Sequence, residues 1–218
     1  YSYLNETLGL EDYEAFLHEP ATAARFDNLV SYGGSDPVGI GKSLATFSAF
    51  AEGVSLYSAF AVLYSFQMRN LLKGIGQQMK WSVRDESLHS KMGCQLFRHM
   101  CSQIPGLKEE CKEHIYEASV TMHNAEMTYI SKLFEMGDVE GIREYDLKQF
   151  IKKRTGDKLK ELGYKAEGKF KYEYDEKSID KMAWFYHLTG GHTHTDFFAV
   201  RPTDYSKANE GEDFENIW

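Results

Sequence analysis

The sequence predicts an all-α protein. Only four prolines are spread over 218 residues, apolar residues recur at helical spacing over long stretches, and chain-breaking residues are concentrated at a few points. Tyr1 to His18 places Leu4, Leu8, Tyr13, Phe16 and Leu17 along a first helix that Pro20 is expected to end. Ala21 to Tyr32 reads as a second helix, closed by Gly33-Gly34 and the turn-rich GGSDPVG. Ile40 to Met68 follows as the least polar segment. It is apolar nearly all round, as a buried central helix would be, with Glu52 as its single acid. Its aromatics Phe47, Phe50, Tyr57, Phe60, Tyr64 and Phe66 are expected to pack the core. A helix from about Asn70 to Ser102 precedes the Pro105-Gly106 break. Lys108 to Met136 is long and amphipathic with Gly137 at its end, and Glu140 to Leu162 is more charged. Lys165 to Lys177 reads as a polar connector, and Ile179 to Leu188 as a short aromatic helix. Thr189 to Trp218, rich in Gly, Asp, Glu and Asn, is expected to lack fixed structure. The domain organisation is thus a helical domain over residues 1–188 and a flexible tail over 189–218.

With 42 % apolar and 27 % charged residues, the composition is that of a globular domain able to bury a substantial core. A net charge of −8 argues against nucleic-acid binding, which needs a basic face to neutralise phosphates. No run looks long and apolar enough to cross a membrane. Cys94, Cys101 and Cys111 are odd in number and lack C-x-x-C spacing, which suits reduced thiols in the cytoplasm; Cys94 and Cys101 are expected to be buried. The chain opens at Tyr1, inside what reads as a helix, as though it starts in mid-structure.

Three stretches invite chemistry. VGIGKS, residues 38–43, falls short of a phosphate-binding loop: Asp36 stands where the motif needs its first glycine, and no strand precedes it. GGHTHTD alternates His192 and His194 before Asp196, but in a glycine-bearing tail it reads as a solvated loop. VRDESLHSKMG holds Glu86-x-x-His89, the sole such pair in the chain. Three residues apart on a helix, the two side chains leave from one face and can reach one metal cluster. An isolated Glu-x-x-His is more often a solvated surface pair. Glu52 alters the balance, because a lone carboxylate in the most apolar helix is costly. Ferritin-like bundles with two metal ions combine inward Glu residues with Glu-x-x-His motifs, and such oxygen and imidazole donors suit iron or manganese. Glu52, Glu86 and His89 would be half of such a site.

Several separate stretches together resemble the small, radical-generating subunit of class I ribonucleotide reductase. AEGVSLYSAFAVLYSF resembles that family's buried helix with its single ligand Glu, here Glu52. SVRDESLHSKMG resembles its Arg-Asp-Glu-x-x-His helix, and the 34 residues from Glu52 to Glu86 agree with the family spacing. HTDFFAVRPTDYSKANEGEDF resembles its Phe-Phe and tail-tyrosine region, and YSYLNETL the stretch that begins at its radical tyrosine.

The resemblance implies a ferritin-like helical bundle and an oxygen-activating dinuclear iron, manganese or mixed-metal centre, with Glu52, Glu86 and His89 among its ligands. It implies a tyrosyl radical on Tyr1; Tyr3, two residues on, would face about 200° away along a helix. Asp85 matches the family's relay aspartate, and Tyr205 the tyrosine that hands the radical to the large catalytic subunit. Residues 209–218 would dock on that subunit, and Leu56 and Phe60 would shield the radical. The function implied is that of the small subunit of ribonucleoside-diphosphate reductase, a homodimer in this family, serving deoxyribonucleotide synthesis. The family's remaining ligands, an Asp and a second Glu-x-x-His, would precede Tyr1. The chain is therefore expected to be the carboxy-terminal part of such a subunit, either truncated or split, with an amino-terminal half supplying the other helices. A ferritin-like di-iron oxidase acting on a small molecule, or a non-enzymatic iron-binding bundle, is the alternative reading; neither would need Tyr205 and a docking tail.

Overall fold

The computed structural model describes residues 34–189, together with His18, Pro20 and Ala23. The first two expected helices otherwise lie outside the described residues, as does the tail from residue 190. Pro20, expected to end a helix, is itself helical.

The turn-rich GGSDPVG ends in a helix cap. The Asp36 carboxylate accepts a 2.6 Å hydrogen bond from the Gly39 amide, and Pro37 follows where a missing N–H costs nothing, so α1 runs over Pro37–Thr46. The chain then continues into a π-helical segment, Phe47–Ser55, and after Leu56 into α2, Tyr57–Met68. The single helix expected over Ile40 to Met68 therefore starts three residues earlier and is wound as a π-helix through its middle. Apolar periodicity does not encode that winding, which is rare and found frequently at functional sites.

By length and composition Pro37–Met68 could cross a membrane, contrary to the expectation that no run would qualify; its most apolar window has a mean hydropathy of 1.3. Of that window 61 % is buried within the fold, as befits the core helix of a bundle. Nor is the run buried all round, since Ile40, Phe47 and Met68 are exposed. Phe47, expected in the core, is 52 % exposed because its side of the helix is not covered by another described element.

Two left-handed residues, Asn70 (φ 65°) and Leu72 (φ 45°), turn the chain into α3, Lys73–Gln103. The Pro105-Gly106 break leads to α4, Leu107–Leu133, whose first turn carries Glu109 and Glu110 and whose last carries Lys132, complementing the helix dipole. α5, Glu144–Glu161, begins four residues later than expected, after a β-bridge between Val139 and Ile142. The four long helical runs pack on one another, α3 along both the π-helical segment and α2, and α5 against α4 and the π-helical segment. No strand occurs among the described residues, and the fold is all-α as the sequence predicts.

The connector expected to be merely polar is pinned by aromatics. Phe170, in a 3-10 turn over Gly168–Phe170, stacks on Tyr116 at 4.3 Å, and the Tyr172 hydroxyl lies 2.9 Å from Ser119 Oγ. The short helix expected over Ile179 to Leu188 is two, α6 (Glu176–Lys181) and α7 (Ala183–Thr189), separated at Met182. Phe185 of α7 is fully buried against Tyr57, Tyr64 and Phe150. Burying such a side chain stabilises the fold by about 1.5–3 kcal/mol, so α7 closes the bundle end beside Tyr57. All three cysteines are free; Cys94 is buried with its thiol pushed up to about 12 by desolvation, whereas Cys101 is only half-buried.

Candidate metal centre

Glu52 stands in the π-helical segment, and Glu86 and His89 on α3. Two glycines let these backbones close up. A Cβ on Gly53 would meet Ser90 Oγ at 2.6 Å and Lys158 Cε at 2.9 Å, and one on Gly93 would meet Ser48 Oγ at 1.9 Å. All three contacts are shorter than carbon side chains allow, so small residues here set the helix separation.

That separation brings one donor atom from each of Glu52, Glu86 and His89 within 4.8 Å of one another, and no other such group of three occurs among the described residues. His89 Nδ1 lies 3.5 Å from Glu86 Oε2. Glu52 and Glu86 are half-buried, while the His89 side chain is 55 % exposed, so the cluster opens on one side of α3. Burial, and then the neighbouring Glu86 charge, push the Glu52 carboxyl above its ordinary value, with His89 pulling the other way. Two carboxylates held together at such a cost are what a cation would relieve. Hard oxygen donors with one imidazole suit iron or manganese. The residues present thus fit part of a metal's donor set, while a dinuclear centre would need further donors.

Leu56 and Phe60 are half-buried on the same helical run, Phe60 edge-on to Tyr57 with ring centres 5.8 Å apart. Asp85 is exposed on α3, next to Glu86 in sequence. Tyr1, Tyr205, His192, His194 and Asp196 lie outside the described residues. Two neighbours of the cluster, Tyr57 and Arg154, carried no sequence signal of a role there. Tyr57, read only as core, is fully buried with its hydroxyl 2.7 Å from Ser87 Oγ. Burial raises its phenol, and Arg154 and Ser87 act against that rise. The Arg154 guanidinium lies over the Tyr57 ring at 3.4 Å, and its Nε–H donates to the Gly53 carbonyl. Proximity of Ser87 to Glu86, and of Gly53 to Glu52, was legible; a role for Arg154 about a hundred residues downstream was not.

An all-helical bundle with a carboxylate–imidazole cluster between neighbouring helices is the class of architecture in which ferritin-like proteins build their metal sites. The family model described as "Ribonucleotide reductase, small chain" matches residues 1–172, and the chain belongs to that family. It is 30 % identical over 233 residues to "Probable ribonucleoside-diphosphate reductase small subunit 048L" of Invertebrate iridescent virus 3, an alignment covering 96 % of the chain and 59 % of that protein. With the ribonucleoside-diphosphate reductase subunit beta of Chlamydia pneumoniae it shares 23 % identity, covering 94 % of the chain and 62 % of the relative. The chain thus spans about three fifths of the length of these two relatives. A crystal structure of a candidate class I ribonucleotide reductase from Bacillus halodurans superposes with a TM-score of 0.72 at 18 % identity, over 86 % of the chain and 68 % of that structure, and agrees in fold.

Proposed function

We propose that the chain acts as the metal-binding, carboxy-terminal part of a ribonucleoside-diphosphate reductase small subunit, working with a large catalytic subunit in the cytoplasm. The observation that carries this is the convergence of Glu52, Glu86 and His89 donors within 4.8 Å in a member of that family. Glu52, Glu86 and His89 would hold iron or manganese, which when bound supplies the one-electron oxidising power that ordinary side chains lack. Leu56 and Phe60 exclude water from that side of the Pro37–Met68 run. Asp85, exposed and next to Glu86 in sequence, would hold or pass a proton. Tyr1 would carry the stable radical and Tyr205 would pass it to the large subunit, with residues 209–218 docking there and folding as they bind. The further ligands would come from an amino-terminal half, and the working particle would be a homodimer.

The test is metal loading of the chain, alone and with an amino-terminal partner, followed by electron paramagnetic resonance. Glu86→Ala is expected to weaken Mn(II) binding at least about tenfold, as loss of a direct ligand should cost no less than the loss of an outer-shell partner. Unchanged binding in Glu86→Ala would sink the ligand assignment. After Fe(II) and oxygen, a tyrosyl signal that survives Tyr1→Phe would sink the radical assignment.

A further inference from the structure

Both candidate carboxylates have a sequence neighbour tied into one part-buried chain of contacts. Gly53, next to Glu52, offers its carbonyl to Arg154 Nε. The same guanidinium lies 3.4 Å above the ring of Tyr57, and the Tyr57 hydroxyl lies 2.7 Å from the hydroxyl of Ser87, next to Glu86. Arg154 thus reaches from α5 into the π-helical segment and, through Tyr57, to α3. In a π-helix the carbonyl register is displaced from the α-helical ladder, so a side-chain donor aimed at one of those carbonyls can fix the winding locally. Lys158, one turn further along α5 and nearly buried, packs against Gly53 as well, so this face of α5 is shaped to the segment that carries Glu52.

We propose that Arg154 is a positioning residue for the metal ligands: by clamping the Gly53 carbonyl and the Tyr57 ring together, it sets the place of Glu52 relative to Glu86 and His89. It acts on them through the Gly53 backbone and the Tyr57 ring. A guanidinium suits the task because its plane can stack on the phenol while its edge donates; an ammonium keeps the charge but loses the plane. Tyr57 transmits the constraint and Ser87 receives it on the α3 side. The inference rests on the metal-site reading given above and deepens it.

The test is Co(II) titration of the 218-residue chain, following ligand-field absorption, with thermal unfolding of the metal-free protein measured in parallel. Arg154→Met is expected to weaken Co(II) binding by about 10–100-fold, the usual cost of losing an outer-shell partner, and to shift the absorption bands. Arg154→Lys, which keeps the charge, should not restore the wild-type bands. Tyr57→Phe, lacking only the hydroxyl, should change them in the same direction by less. Arg143→Met, remote from the site, should lower the unfolding temperature and leave the bands unchanged, which separates positioning from general stability. Should Arg154→Met not fold, Arg154→Lys and Tyr57→Phe decide the matter. Wild-type bands and affinity in those variants overturn the proposal. Failure of the wild-type chain to take up Co(II) in a Glu86-dependent manner would instead overturn the metal-site reading, and the positioning role with it.

Discussion

Two carboxylate clusters in this molecule are built on opposite principles. Asp146, at the start of α5, is buried and answered from three sides. Arg143 Nε and Nη2 donate at 2.7 and 2.9 Å, Ser178 Oγ donates at 2.7 Å, and Lys181 Nζ lies 3.8 Å away. Burial pushes its carboxyl up, but the Arg143 and Ser178 hydrogen bonds outweigh that and hold it below the ordinary value. Glu52 is less buried, yet burial and then the charge of another carboxylate, Glu86, raise its carboxyl, with only His89 pulling the other way. The first cluster closes on itself and ties α6 to α5. The second is incomplete within the described residues and has the donor chemistry of a ligand set. Burial of an acid alone does not separate structure from function; whether its partners supply the opposite charge does.

The largest effect that would sharpen this contrast is a crossed loss. Asp146→Ala should cost about 1.5–3 kcal/mol of folding stability in urea denaturation, the worth of a charge-assisted hydrogen bond, and leave Mn(II) affinity unchanged. Glu86→Ala should do the reverse, since the metal-free protein loses a repulsive charge. If Glu86→Ala destabilises the metal-free chain as much as Asp146→Ala does, the two clusters are not different in kind.

Next come the glycines that bring the ligand helices together. Gly93→Ala, whose Cβ would fall 1.9 Å from Ser48 Oγ, should cost about 1–3 kcal/mol by overpacking. It should also weaken metal binding by parting α3 from the π-helical segment. An unchanged urea midpoint would show that the seam tolerates spreading.

The smallest effect is in the pH dependence, and the two clusters should pull in opposite directions. Asp146, with its folded-state value depressed, contributes stability that is fully present above the ordinary aspartate value of 3.8 and is lost as pH falls through the folded value. Glu52 is raised, so in the metal-free chain the folded state holds its proton where the unfolded state has released it. Stability therefore declines as pH rises from the ordinary value of 4.5 through the folded one. Glu52→Gln should remove that decline, and Asp146→Asn should remove the acid-side loss, each measured as the unfolding temperature against pH in a chelating buffer. A decline of equal slope in Glu52→Gln would assign it to another group.

Much of the fold was legible because helical periodicity and a few breakers report directly on local structure. The ends of α3 and α4 fall within three residues of where the pattern places them. The donor set was legible for the same reason, since Glu86 and His89 share a helix face and Glu52 is the one acid in an apolar run. What escaped was everything that depends on long-range packing. The π-winding of Phe47–Ser55 leaves no mark in composition, and the segment packs closely on α3 and α5 at Gly53 and Ser48. The exposure of Phe47, the aromatic anchoring of the connector and the break at Met182 also follow from which faces other elements cover.

By itself, then, the sequence determined an all-α fold for the described residues, the order and approximate limits of the longer helices there, and the residue types able to hold a metal. Only the tertiary structure decided that Glu52, Glu86 and His89 meet within 4.8 Å, that Asp146 is held by Arg143 while Glu52 lies beside Glu86, and that Arg154 reaches across to the segment that carries Glu52. The physical reason is range. Propensity and periodicity act over a few residues, whereas the spacing of carboxylates on different helices is set by how closely two backbones can approach.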